Sequence, residues 1–146
     1  TEESTTTALN FEVANPEIDL VSEVKLFAIT NEVRKQAGKP ELKPNLQLQE
    51  VARAHAKDML AKGYFSHVSP SGEDVLKRVQ NANITVLAVG ENLALAPSVE
   101  IAQAGFIASP SHRQNILKPE FNAVGIGVLD AAGHGKMIVV LLAQMP

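Results

Sequence analysis

Hydrophobic side chains in this sequence recur with two different periods. Between residues 16 and 62 they fall three or four positions apart, the spacing of one face of a helix, and after residue 120 they come in short dense runs, the pattern of buried strands. Asn15-Pro16-Glu17-Ile18-Asp19 supplies a cap residue, a first-turn proline and two early acids. Leu20, Val24, Phe27 and Ala28 follow at helical spacing, and Gly38 with Pro40 ends the pattern, so a first helix is expected over 16–37. A second, over 45–62, carries Leu48, Val51, Ala52, His55 and Met59 on one stripe and stops at Gly63.

Ser66 to Gly72 is a loop by composition, after which Ser71 can cap a short helix through Asp74, Val75 and Val79. Thr85 to Val89, β-branched and apolar, reads as a short strand leading into Gly90. Pro97-Ser98 breaks and caps a helix over 99–108, Pro110 stops it, and Ser111 starts one further helical turn ending near Lys118-Pro119. Ala123 to Leu129 and Met137 to Gln144 form a strand pair around the turn Asp130 to Gly135. Helices first and antiparallel strands last define an α+β fold, with a small sheet covered by helices. Residues 16–146 contain no internal repeat and are expected to form one domain. Residues 1–15 read as a flexible polar tether, with neither the basic nor the apolar region of a signal peptide. Such a leader suits a mature exported protein.

Composition narrows the function classes. A chain of 146 residues with 45% apolar side chains buries about two-thirds of its extended surface on folding, enough for a core without staples. It has no cysteine, which removes disulfides, thiolate nucleophiles and Cys-based metal sites together. Thirteen basic against sixteen acidic side chains give a net charge of −3, and no basic run exceeds Arg34-Lys35. Nucleic acid and anionic membrane are therefore disfavoured as partners. No apolar stretch reaches the roughly 20 residues that span a bilayer.

The usual catalytic templates are missing: there is no Gly-x-Ser-x-Gly elbow, His-Glu-x-x-His helix, phosphate-binding Gly-Lys loop or dinucleotide-binding glycine run. Three polar clusters remain, Phe65-Ser66-His67, Gly90-Glu91-Asn92 and Ser111-His112-Arg113-Gln114-Asn115, each at an expected element boundary. The partial positive charge at a helix start disfavours imidazolium at His112, and a neutral imidazole can ligate a metal. Two imidazoles and one carboxylate are the smallest set for a labile divalent-metal site; they serve equally as a metal-free acid/base cluster. Glu91 could instead pair with Arg113 and lock the loops. Asn92, Arg113 and Asn115 suit a supporting role around the cleft, satisfying loop backbone groups. His55 falls on an apolar stripe as a core histidine, and His134 in a solvated turn.

Read together, the run Gly63-Tyr64-Phe65-Ser66-His67-Val68-Ser69-Pro70-Ser71-Gly72, then Gly90-Glu91-Asn92-Leu93-Ala94, then Ser109-Pro110-Ser111-His112-Arg113-Gln114-Asn115-Ile116-Leu117 resembles the CAP superfamily. That superfamily takes in cysteine-rich secretory, antigen 5 and pathogenesis-related 1 proteins with their SCP domain; this chain is most similar to its bacterial, cysteine-free branch. Asn31-Glu32-Val33-Arg34 and the segment 52–59 fit the same pattern, and the likeness covers about residues 18–144. The resemblance implies an α-β-α sandwich with a small antiparallel sheet of three or slightly more strands. It also implies a central cleft at His67, Glu91 and His112, where relatives often bind zinc or a similar cation through the two histidines. Many eukaryotic members carry a second glutamate three residues after a tryptophan; the matching positions here are Phe106 and Ser109, and serine brings no charge.

The expected function is a secreted or surface-anchored module, monomeric, that holds a divalent cation such as Zn2+ at His67 and His112, with Glu91 as a further ligand, and binds an extracellular protein, peptide, lipid or cell-envelope component. One alternative is a metal-assisted hydrolase of peptide or cell-envelope bonds with Glu91 as general base. Another, which the resemblance permits, is lipid or sterol binding.

Overall fold

The structure is a computed structural model and describes residues 6–146. In chain order its elements are β1 (Thr7–Ala8), α1 (Leu20–Gln36), β2 (Lys43–Pro44), α2 (Leu46–Lys62), β3 (Tyr64–Phe65) and α3 (Val75–Asn81), followed by β4 (Ala88–Ala96), α4 (Val99–Ala108), α5 (Pro110–Leu117), β5 (Ala123–Asp130) and β6 (Lys136–Gln144). A four-stranded sheet in the order β2-β5-β6-β4 forms the middle layer. The β4-β6 and β5-β6 pairs are antiparallel, whereas the short β2 runs parallel to β5. The sheet is thus mixed rather than wholly antiparallel, and larger by one strand than the smallest size expected. Its fourth member is a two-residue strand that no periodicity marks.

β6 shows why the middle layer is stable. Met137, Val139, Leu141 and Ala143 face a core shared with α2, while Ile138, Val140 and Leu142 face a second core shared with α4. A strand covered on both faces needs an unbroken apolar run, and each such side chain contributes about 1.5–3 kcal/mol by leaving water. The result is an α-β-α sandwich, with α2 and α3 on one side and α1, α4 and α5 on the other. On the first side α2 lies almost on the backbone of β5: a Cβ on Gly127 would meet the backbone of Ala52 and Arg53, so only glycine permits the approach.

Six expectations need correction. α1 begins at Leu20, capped by Asp19, because Ile18 is drawn into a bridge with Leu129 and the amide of Asp19 donates to Val128. Of its expected stripe Phe27 alone packs on the core, while Leu20 and Val24 are 58% and 61% exposed, and the helix buries Glu23, Leu26, Thr30, Asn31 and Arg34 instead. The charged and amide groups among them find partners. Glu23 accepts from Arg53 and from the amide of Val128, Asn31 exchanges two hydrogen bonds with Leu42, and Arg34 donates to the carbonyls of Pro40, Ile116, Lys118 and Phe121.

The strand expected over 85–89 lies further on, as β4, so Glu91 is mid-strand. Its neighbours Ala88, Gly90, Ala94 and Ala96 are poor strand formers taken up by pairing with β6. The short helix after the 66–72 loop is capped by Asp74 rather than Ser71, and Pro110 begins α5 instead of ending a segment before Ser111. Finally, the tether expected over 1–15 is docked from Thr7 onward; its first five residues lie outside those described. β1 pairs with β3, the amides of Leu9 and Val13 donate to Gly63 and Leu60, and Leu9, Phe11 and Val13 pack on the α2 core.

Candidate functional site

Among the described residues β4 is the last strand of its sheet, paired along one edge only, and the candidate residues lie on it or against it. Side chains alternate along it. Glu91 shares a face with Leu93, in the core on the α2 side, and Asn92 shares the opposite face with Ala94, on the α4 side.

On the α2 side Glu91 is 5% exposed and bears a dense set of donors. Arg78 of α3 reaches both its oxygens, at 2.7 and 3.0 Å, and His67 Nδ1 lies 2.9 Å from Oε1. Burial alone would push the Glu91 carboxyl up. The hydrogen bonds from His67 and Arg78, with the charge of Arg78, outweigh it and hold the group below the usual carboxylate range. Glu91 is therefore ionised at neutral pH and can only accept, so Nδ1 of His67 carries a proton, and in the neutral form of the ring Nε2 has the lone pair. The His67 side chain is 43% exposed, and Arg78 fixes its backbone through a 2.8 Å bond to the His67 carbonyl.

The loop that carries His67 is held from below by His55. The carbonyl of Ser66 can only accept, so His55 Nε2 donates to it at 2.8 Å. Nδ1 of that ring is buried without a hydrogen-bond partner among the described residues. Burial, reinforced by the charge of Arg78 and opposed by that of Glu91, pulls His55 below its ordinary value and keeps it neutral. The expected core histidine of the second helix is thus also a support for the site. A hollow of about 690 Å³ between α2, α3 and the 69–73 turn backs onto this cluster, with His55 and Arg78 in its wall.

On the other side, Ser109 is the residue before α5, yet its hydroxyl makes no capping bond. It lies 2.8 Å from His112 Nδ1. Phe106 stacks on the same ring at 5.3 Å, so the two positions that differ from the eukaryotic pattern both hold His112. Asn92 donates to the His112 carbonyl and accepts from Asn115, which also donates to the Glu91 carbonyl; these amides fasten α5 to β4. Gly90 makes room for that contact, since a Cβ there would strike the Asn115 side chain.

The structure thus brings His67 and Glu91 into direct contact and places His112 beside the same strand, reached through backbone and amides. Among the described residues no group of three His, Asp or Glu side chains could hold a metal ion. Both oxygens of the carboxylate are already engaged by His67 and Arg78. Arg113, expected beside the cleft and as a rival partner for Glu91, is instead exposed on the outer face of α5; the ion pair of Glu91 is with Arg78. Arg78 was missed because nothing in the local spacing separates it from the exposed Lys77 next to it.

Residues 27–143 match the family described as CAP, cysteine-rich secretory protein family. The Bacillus subtilis protein YkwD, itself described as uncharacterized, is 32% identical over 111 residues, which cover 75% of this chain and 43% of the relative. This chain spans less than half the length of the curated relatives it matches. An extracellular protein containing a SCP domain from Bacillus anthracis superimposes with a TM-score of 0.80 at 30% identity, over 86% of this chain and 41% of the other. An outer surface protein from Borrelia burgdorferi, at 18% identity, shares the fold with a TM-score of 0.82 over 92% of this chain and 100% of its own.

Proposed function

The chain belongs to the CAP, or cysteine-rich secretory protein, family, and from that premise we propose that it acts outside the cytoplasm as a binding module whose cleft beside β4 recruits a ligand through a labile divalent cation. The relatives described as extracellular and outer-surface proteins support the location. The observation that carries the rest is the 2.9 Å contact between His67 Nδ1 and a buried, ionised Glu91. A carboxylate that accepts a hydrogen bond from Nδ1–H fixes the tautomer and leaves the Nε2 lone pair for a metal. His67 and His112 would hold the ion, Glu91 would orient His67 without ligating, and water or the ligand would fill the remaining positions. A Zn2+-like ion bound this way supplies an electrophilic point for an anionic or carbonyl group of the ligand.

Binding is preferred to hydrolysis because Glu91 is committed to Arg78 and His67, which leaves it poorly placed to take a proton from water. Isothermal titration with Zn2+ at neutral pH tests the reading. Wild type binds one ion, His67→Ala and His112→Ala lose it, and Glu91→Gln weakens it by roughly tenfold. Unchanged binding in both histidine variants would overturn the assignment.

A further inference from the structure

The face of α5 turned away from the cleft lines a groove of about 800 Å³. Pro110, Arg113, Gln114 and Leu117 lie at helical spacing along it, Lys118 continues the wall, and Lys39 closes the far side from the turn after α1. Among the described residues no acidic side chain and no aromatic ring lines the groove. Among the same residues Lys39, Arg113 and Lys118 form no ion pair, as is also true of Lys35, Lys43, Lys57 and Lys77, and Lys118 Nζ lies 5.1 Å from the centroid of the Phe121 ring. A fourth positive charge lies behind the wall. Arg34 is fully buried and directs its donors to four carbonyls, two of them at the end of α5, and among the described residues it makes no ion pair. Carbonyl dipoles solvate that charge without cancelling it. The groove is therefore positive on a chain whose net charge is −3. Its cations come from distant stretches, which is why no basic run announces it.

We propose that this groove binds a polyanionic chain of alternating polyol and phosphate units. The charges are strung out rather than convergent, with Arg113 and Lys118 about 7 Å apart along the helix axis, an arrangement for successive anions and not for one ion. The planar guanidinium of Arg113 and the point charge of Lys118 both suit phosphate oxygens. The Gln114 amide can meet polyol hydroxyls, and Pro110 and Leu117 can meet its carbons. The missing aromatic ring argues against a nucleic acid, whose unpaired bases need a stacking platform. This site is separate from the histidine cleft and stands whether or not that cleft holds a cation.

The test is a titration of the whole chain with fluorescent poly(glycerol phosphate) across a salt series. Binding is expected to weaken with salt along a log–log slope near −2, the value for about three neutralised phosphates on a single chain. Arg113→Gln with Lys118→Gln should lose at least about tenfold in affinity. Lys57→Gln with Lys77→Gln, which removes the same charge from exposed positions elsewhere, should leave it unchanged. Failure to bind, an equal loss in the control pair, or tighter binding of inorganic phosphate or of a single-stranded oligonucleotide would each overturn the proposal.

Discussion

Arg34 and Arg78 are both guanidiniums taken out of water, and they differ in what faces them. Arg34, from α1, donates to backbone carbonyls of four residues and joins the turn after its own helix to the end of α5 and the loop before β5. Arg78, from α3, meets one carboxylate and one carbonyl, those of Glu91 and His67. Carbonyls cannot be mutated or titrated away, so the first arrangement is a fixed brace. A carboxylate can be neutralised, so the second is an adjustable one, and it lies where the candidate chemistry lies. The contrast separates framework from site on physical grounds, although each is a guanidinium largely removed from water.

The largest expected effect is on the brace. Arg34→Ala strips hydrogen bonds from buried carbonyls with no substitute donor, and loses at least about 3 kcal/mol of stability by chemical denaturation. No second substitution should restore it. Arg78→Ala costs about 3 kcal/mol because it leaves Glu91 buried with His67 as its one remaining side-chain donor, but adding Glu91→Gln should recover roughly half of that loss. Rescue of the first variant, or none of the second, would erase the distinction.

A smaller effect sharpens it through pH. His55 is held below its ordinary value of 6.5, so below that pH the unfolded chain takes up a proton that the fold refuses, and stability falls. Glu91 is held below its ordinary 4.5, so its contribution is complete above that value and drains away as pH drops towards the folded one. Melting temperature followed from about pH 8 to about pH 3 should therefore decline in two stages. His55→Gln should flatten the upper stage and Glu91→Gln part of the lower, while nothing in the Arg34 brace titrates in this range.

Much of the fold was legible in the sequence. The stripe of α2, the limits of α4 and the dense runs of β5 and β6 follow from periodicity, because those elements bury apolar side chains on faces that the spacing itself defines. α1 is different: its buried face includes Glu23, Asn31 and Arg34, and a pattern that counts only apolar residues points such a helix the wrong way. β4 was displaced because small residues carry no strand signal until β6 pairs with them. At the site, His67, Glu91 and His112 were marked by chemistry type and by family likeness, whereas Arg78 owes its role to a contact that no local rule encodes. The exposed place of Arg113 likewise depends on which face of α5 turns inward, which Ile116 and Asn115 decide by packing on the core and on β4.

Nitrogen-15 NMR of the histidine side chains tests most directly whether Glu91 sets the state of His67. At neutral to mildly alkaline pH the account predicts His67 locked with its proton on Nδ1 in the wild type and returned to a mixture of tautomers in Glu91→Gln. A wild-type His67 protonated on Nε2, or a spectrum unmoved by Glu91→Gln, would contradict it.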